Sequence, residues 1–255
     1  MLYSLKVHSK TNAGDKHCNP LDYFDFGEYR PIDIRDATNY RHIGKGDVVV
    51  IGGGGLINHC DTWNKRINEI VLSGATIVVW AAGENTHCDD TTKKEPIGFF
   101  TKMTWVRDYG HPMYPYLPCV SCMHPEFDYP YAIDSYGVGV VRHINRPLPK
   151  HLADYPSITN DKPIGDIITF IRGKKTIYAN TYHGAYWSLL LDKPTTIFDV
   201  FSTRFLGLPH VNLYANQPSS YTPVKGQFLD ECRQLNRRAY DDVKTLLDQR
   251  LIDVL

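Results

Sequence analysis

The sequence predicts an α/β protein made of two lobes, each with a mostly parallel sheet covered by helices. Short apolar segments of strand length alternate with segments of helical periodicity through most of the 255 residues, which is the pattern of βαβ units. A stretch from His111 to Tyr131 interrupts this alternation with five prolines and no clear period. Irregular connections of that length are uncommon within one compact sheet. The interruption therefore divides the chain into two smaller α/β halves.

In the first half, continuous apolar runs predict strands, and apolar residues three or four positions apart predict helices. The run Asp47–Ile51 is typical of a buried strand, since it is rich in valine and uninterrupted. Between Thr62 and Leu72 the apolar positions have helical spacing, and Ser73 and Gly74 end the helix. The predicted elements of this half are strands at 5–7, 47–51, 75–80 and 104–106 and helices at 62–72 and 97–103.

The second half repeats the alternation on a smaller scale. Its predicted elements are strands at 137–141, 157–160, 176–179 and 195–198, helices at 164–171 and 183–191, and closing helices between 228 and 255. The tail is polar, with apolar residues at intervals that suit helices packed on a core. We therefore divide the chain into an N-terminal lobe (residues 1–118), a C-terminal lobe (119–225) and a helical tail (226–255) that closes the structure.

The composition excludes several classes of function. Lysine plus arginine equals aspartate plus glutamate at 28 each, and no basic block marks a nucleic-acid groove. No run approaches the roughly 18 apolar residues of a membrane span, and the N-terminus lacks the apolar stretch of a signal peptide. Peripheral association with a membrane stays open. Six cysteines at irregular spacing do not form a disulfide framework, so we expect a cytoplasmic protein with reduced thiols.

The most informative segment follows the strand at 176–179. Thr181-Tyr182-His183-Gly184 stands where that strand turns into a helix, at the carboxyl end of the sheet, where open sheets bind ligands. The helix N-terminus offers free N–H groups to an anion, and an imidazole titrates near neutral pH. His183 is therefore a candidate proton donor or phosphate ligand, with Thr181, Tyr182 and Gly184 beside it. A helix-capping role for His183 is the alternative.

Other strand ends present groups that suit an anion. The four glycines after the second strand let the backbone approach a ligand and turn N–H groups towards it, although a tight strand exit would also use glycine. Gly14 and Asp15 bring a flexible residue and a carboxylate to the same edge, where an ordinary turn is the alternative. Arg107 suits bidentate contact with phosphate or carboxylate, or else pairs with Asp108. The four glycines are Gly52, Gly53, Gly54 and Gly55; further candidates, each with a solvated side chain as the alternative, are Arg142, His143 and Arg204.

Two cysteines resemble half of a zinc site. Cys119 and Cys122 have the spacing of one ligand pair, with His124 nearby and His87 and Cys88 upstream. A second pair at two- to four-residue spacing is missing. The flanking prolines do not suggest the helix N-terminus that a redox pair would use. We therefore predict structural thiols and no metal site.

Taken in chain order, these elements resemble the polysaccharide pyruvyl transferase family. The resemblance runs through about residues 5–205, and its specificity lies in the order of the motifs rather than in any one of them. Thr181 departs from the pattern, since many members carry Arg at that position, and the chain is short for the family. The matching motifs are Asn12-Ala13-Gly14-Asp15 with Asn19-Pro20, the glycines between Ile51 and Leu56, Val106-Arg107-Asp108, His124-Pro125-Glu126-Phe127-Asp128, and Thr181-Tyr182-His183-Gly184 ahead of Asp192-Lys193-Pro194-Thr195.

The resemblance implies two Rossmann-like lobes that face a central cleft, as in GT-B glycosyltransferases. It implies transfer of the pyruvyl group of phosphoenolpyruvate to two hydroxyls of a sugar, which forms a cyclic ketal during surface polysaccharide synthesis, without a cofactor. The acceptor would be a sugar, an oligosaccharide or a lipid-linked sugar. His183 would donate a proton, Arg107 would bind the donor, and Asp15 is the candidate general base on a sugar hydroxyl.

Two other functions stay open from the sequence. A GT-B-like glycosyltransferase that uses a nucleotide sugar would share the fold and the anion-binding edge, although no acidic residue for a nucleotide ribose is evident. A non-catalytic module that binds a sugar or a partner protein is the second alternative. Arginine, histidine and glycine at one edge favour an enzyme over a pure binding module.

Overall fold

The computed structural model describes residues 1–36, 38–99, 101, 103–129, 136–211, 213 and 225–252, and within them the protein is an α/β structure with two parallel sheets. The first sheet contains β1 (Leu2–Lys6), β2 (Arg30–Asp33), β3 (Val48–Gly52), β4 (Thr76–Ala82) and β5 (Thr104–Val106). The second contains β6 (Val138–Arg142), β7 (Ser157–Thr159), β8 (Thr176–Ala179) and β9 (Thr195–Ile197). The helices are α1 (Ala13–Lys16), α2 (Asp61–Val71), α3 (Ile164–Arg172), α4 (Tyr182–Leu190) and α5 (Gln227–Ile252).

Both sheets reverse their strand order at one point. The first has the order β2-β1-β3-β4-β5, so the chain turns to opposite sides after β1 and after β3. The second has the order β7-β6-β8-β9 and reverses between β6 and β8. In doubly wound sheets such a reversal opens a crevice at the carboxyl ends of the strands, where ligands bind. The loops that leave these four strands carry most of the candidate site residues.

The central strands of the first sheet are buried on both faces. All five residues of β3 are buried, and so are six of the seven in β4. One face packs against α2 and the other against α5, which explains why the sequence of β3 is continuously apolar rather than alternating. The first face includes Val49, Ile51, Val79, Ile67 and Ile70; the second includes Val48, Val50, Val78, Trp80 and Val243.

α5 is one helix of 26 residues whose buried side chains belong to one hydrophobic cluster with strands of the first sheet and to another with strands of the second. The tail is helical as predicted, but as a single helix, because no glycine or proline interrupts it. Asn236 lies at its middle and is fully buried; it accepts the Trp80 Nε1–H at 2.9 Å and donates to the Pro118 carbonyl at 3.1 Å. No helix in the described part of the chain is both long and apolar enough to cross a lipid bilayer.

Most of the predicted strands and helices are present, with bounds shifted by at most three residues. The helix predicted at 97–103 is wrong, since the described residues there are not helical. Two side chains of α2 instead bind the residues that come just before this segment. Asn64 donates to the Glu95 carbonyl, and Asn68 donates to the Pro96 carbonyl. β2 has no predicted counterpart, because its proline argues against a strand and only the edge position of β2 permits it.

The long connection after β5 is irregular, as predicted, for its described residues up to 129. It contains two short 3₁₀ turns, at Val120–Met123 and Pro125–Asp128. The predicted boundary between lobes at 118 and 119 lies inside this connection and stays a prediction. The boundary at 225 and 226 adjoins residues 214–224, which lie outside the described residues.

Candidate functional site

A polar cavity is lined by residues that follow strands of both sheets. Loops after β1, β3 and β5 contribute to one side, and loops after β6, β8 and β9 contribute to the other. The structure therefore brings together residues predicted separately from the sequence. Those that line the cavity are Gly14, Asp15, Gly55, Arg107, His143, Thr181, Tyr182, His183, Gly184 and Arg204.

The cavity is narrow. It leaves about 30 Å³ for the centres of water molecules, within a concavity of about 450 Å³ that includes open solvent. A ligand of the size of phosphoenolpyruvate requires side chains or loops of the wall to move apart.

The start of α4 fixes the position of His183. Thr181 is the N-cap residue, and its Oγ1 accepts the Gly184 N–H at 3.0 Å, as is usual for threonine at that position. A Cβ at Gly184 would lie 2.4 Å from the same Oγ1, so only glycine fits there. All nine residues of α4 are buried. Thr181 thus caps the helix, and His183 is free for another role.

The imidazole of His183 lies between the two units of the fold. Its Nε2 is 3.4 Å from Cys119 Sγ. Its Nδ1 lies against Gly14, since a Cβ built on that glycine would be only 1.9 Å away. Burial lowers the pKa of His183 well below its usual value, and the positive charges of Arg107 and Arg204 act in the same direction. His183 is therefore neutral at pH 7 in the free protein, with one ring nitrogen as donor and the other as acceptor.

We expect Gly14→Ala to lower the free energy of unfolding by about 1–3 kcal/mol, because the new methyl group overlaps the imidazole of His183. Gly165→Ala is the matched control, since Gly165 is also the second residue of a helix. A Cβ there meets the end of the Glu126 side chain, 3.3 Å away. Urea denaturation of both variants measures the difference. Equal stabilities would contradict the close contact between Gly14 and His183.

Arg107 is the most unusual side chain of the cavity. It is 1% exposed, and its Nε and Nη1 have no hydrogen-bond partner among the described residues. Its guanidinium carbon lies 3.7 Å from the centre of the Tyr182 ring. The carboxylate of Asp108, the partner considered from the sequence, accepts the Glu84 N–H at 2.9 Å. Buried polar groups without partners are costly, and a positive charge with free donors suits a negatively charged ligand.

Arg204 and Asp15 complete the charged groups of the wall. Arg204 lies over the rings of Phe201 and Phe205, and its Nε has no hydrogen-bond partner in the described part of the chain. Burial, together with Arg107, lowers the pKa of Arg204 to about 10. Burial raises the pKa of Asp15, while Arg107 and Arg204 oppose this shift. Two guanidinium groups and one carboxylate leave an excess of positive charge that suits an anion.

The four glycines at the end of β3 and just after it have different surroundings. Gly55 lines the cavity. A Cβ at Gly52 would be 2.9 Å from Pro20, and one at Gly53 would be 2.0 Å from the Cys18 carbonyl. The Gly53 N–H donates to the Trp80 carbonyl at 2.9 Å. Gly53 and Gly54 have φ of 66° and 75°, which favours glycine. Close packing explains much of this run, and phosphate binding by Gly52, Gly53 and Gly54 stays a prediction.

The contact of Cys119 with His183 has no counterpart in the sequence analysis. Cys119 and Cys122 are buried and free, and the described residues contain no group of three His, Cys, Asp or Glu side chains that could hold a metal. A separation of 64 residues divides Cys119 from His183. No local spacing pattern connects residues so far apart, so the pair becomes visible only in the folded chain.

Comparison of the chain with protein-family models, with curated proteins and with solved structures finds no match in any of the three. The geometry and charge of this cavity, together with the ordered motifs, are therefore the evidence for function.

Proposed function

We propose that the protein is a transferase that moves the pyruvyl group of phosphoenolpyruvate to a sugar, with its two sheets forming the lobes of a GT-B-like enzyme. The observation that carries this proposal is the buried Arg107, whose nitrogens lack partners in a cavity shared with His183 and Arg204. Such a site suits a small donor with several negative charges. The ordered motifs select phosphoenolpyruvate among such donors, and they favour a cytoplasmic enzyme of surface polysaccharide synthesis.

The reaction uses the residues of the cavity in distinct roles. The enol carbon of the donor gains a proton, two sugar hydroxyls add in turn to the neighbouring carbon, and phosphate leaves. Of the two hydroxyl protons, one balances the new methyl group and the other leaves with phosphate, so no further reagent is consumed. In this proposal Arg107 and Arg204 bind the phosphate and carboxylate of the donor. His183 is the proton donor at the phosphate group, and Asp15 accepts a proton from a sugar hydroxyl.

Arg204 also bears on position 181, where this chain has threonine and many members of the family have arginine. The motif position that carries Arg in many members is occupied here by the helix cap. Arg204 reaches the same cavity from the loop after β9. A second guanidinium is therefore present beside His183, although it comes from another part of the chain. We propose that it replaces the missing motif arginine.

A second cavity supports a place for the acceptor. It has a volume of about 280 Å³ and is lined by Lys6, His8, Lys16 and Tyr29. Asp15 belongs to the walls of both cavities. A sugar bound in the second cavity would therefore lie beside Asp15, which also lines the cavity of Arg107 and His183. Polar and aromatic side chains of this kind suit a sugar ring.

We expect phosphoenolpyruvate to raise the melting temperature of the protein in a thermal-shift experiment. A ligand at 100 times its Kd stabilises the folded state by about 2.7 kcal/mol. 3-Phosphoglycerate, which has similar charge but no enol, controls for unspecific binding of polyanions. Stabilisation by a nucleoside diphosphate but not by phosphoenolpyruvate would contradict the proposal. It would favour the nucleotide-sugar glycosyltransferase, which the two arginines of the cavity also suit.

A further inference from the structure

A line of polar contacts leads from the middle of α4 to the imidazole of His183. Trp187 Nε1 donates to Ser121 Oγ at 3.0 Å. Ser121 Oγ donates to Cys119 Sγ at 3.4 Å, and Cys119 Sγ lies 3.4 Å from His183 Nε2. All four residues are buried, so no bulk water competes for these contacts.

The first donor favours one direction for the hydrogens. An indole nitrogen only donates, so the oxygen of Ser121 accepts from Trp187 and its single hydrogen is available for Cys119. The sulfur of Cys119 accepts that hydrogen, and its own hydrogen is available for His183. Burial raises the pKa of Cys119 and lowers that of His183, so the pair is a neutral thiol and a neutral imidazole.

The other ring nitrogen of His183 is Nδ1, and His183 is one of the residues that line the cavity. Nδ1 forms no hydrogen bond with a described residue and lies beside Gly14, which has no side chain to cover it. A neutral imidazole carries one hydrogen. If Nε2 accepts from Cys119, that hydrogen is on Nδ1, and the imidazole lines the same cavity as Arg107 and Arg204.

We propose that Cys119 is a positioning residue that fixes neutral His183 in the tautomer with its hydrogen on Nδ1, so that Nδ1–H is the group offered to the phosphate of the donor. The tautomer is set before the ligand arrives, so Nδ1–H is already in place as a donor for the phosphate. The assignment to the donor phosphate rests on the proposed function, whereas the tautomer itself depends only on the contacts of the free protein.

The test is the ¹⁵N NMR spectrum of the full-length protein labelled on histidine, with the His183 signals identified by their loss in His183→Gln. The wild type and Cys119→Ser, which keeps a donor, are expected to show hydrogen on Nδ1 and none on Nε2. Cys119→Ala is expected to shift the ratio of tautomers about tenfold towards Nε2–H and to weaken phosphoenolpyruvate binding about tenfold. Cys122→Ala, which removes the neighbouring buried thiol, is expected to leave the His183 tautomer unchanged.

Hydrogen on Nε2 in the wild type overturns the proposal, and so does an unchanged tautomer in Cys119→Ala. If Cys119→Ala does not fold, the spectra of the wild type and Cys119→Ser still decide the direction of the contact. A wild type with hydrogen on Nδ1 that binds no phosphoenolpyruvate would support the tautomer and reject the proposed function. The two failures are therefore distinguishable.

Discussion

Replacing Arg107 by methionine is expected to make the ligand-free protein more stable and to remove its response to phosphoenolpyruvate. The free protein holds a buried guanidinium whose Nε and Nη1 have no partner within the described chain. Methionine has a similar length, carries no charge and packs against the Tyr182 ring. A buried donor without a hydrogen-bond partner costs a folded protein about 1–3 kcal/mol, and more when it is charged. We expect a gain in this range, measured by urea denaturation.

The loss of ligand response follows from the same geometry. Removing one member of a buried, hydrogen-bonded charge pair weakens binding by about 2–5 kcal/mol. Phosphoenolpyruvate at a concentration that stabilises the wild type should therefore leave the melting temperature of Arg107→Met unchanged. A substitution that raises the free energy of unfolding and removes ligand binding indicates a side chain that is retained for a ligand rather than for the fold.

Arg233→Met is the matched control. The guanidinium of Arg233 donates to the Cys122 carbonyl at 2.9 Å and to Asp128 at 2.6 Å, so its partners are supplied by the fold. We expect this variant to lose stability and to keep its response to phosphoenolpyruvate. A loss of stability in Arg107→Met as large as that in Arg233→Met would show that Arg107 stabilises the fold. Its buried guanidinium would then no longer support an anionic ligand.

The sequence predicts the alternation of strands and helices well, because burial on both faces leaves continuous apolar runs such as that of β3. It also predicts which residues follow the strands. In parallel sheets these positions share one edge, and Asp15, Arg107 and His183 accordingly line one cavity. The order of strands is not visible in the sequence, so the two reversal points that bring the loops together emerge only from the structure.

Contacts between distant residues account for what the sequence misses. The close contacts of Gly52 with Pro20 and of Gly53 with Cys18 are not visible in the local pattern, and anion binding by these glycines stays a prediction. The missing partners of Arg107 are equally invisible, since Arg107-Asp108 suggests a local pair while Asp108 binds the Glu84 N–H. The contact partners of these residues depend on which loops come together in the folded chain. The periodicity of the sequence does not predict this.

Replacing His183 by glutamine is expected to lower turnover by about 10²–10⁴-fold, the usual contribution of a positioned acid or base. Glutamine keeps a hydrogen-bond donor but cannot titrate. The free imidazole is neutral because burial lowers its pKa, helped by Arg107 and Arg204. An anionic donor bound beside it acts in the opposite direction and raises that pKa. The wild type should therefore take up more protons on binding than the His183→Gln variant does, and its binding should tighten as the pH falls.

Isothermal titration in buffers of different ionisation enthalpy measures this proton uptake directly. Phosphoenolpyruvate itself also titrates. The informative quantity is therefore the difference in proton uptake between the wild type and His183→Gln. His151→Gln, which removes an exposed imidazole, is the matched control and should behave as the wild type in both turnover and proton uptake. Equal proton uptake by the wild type and His183→Gln, with turnover preserved, would mean that His183 is a packing residue of α4. In that case the acid that serves the leaving phosphate must be sought among the other groups of the cavity, of which His143 is the remaining imidazole in its wall.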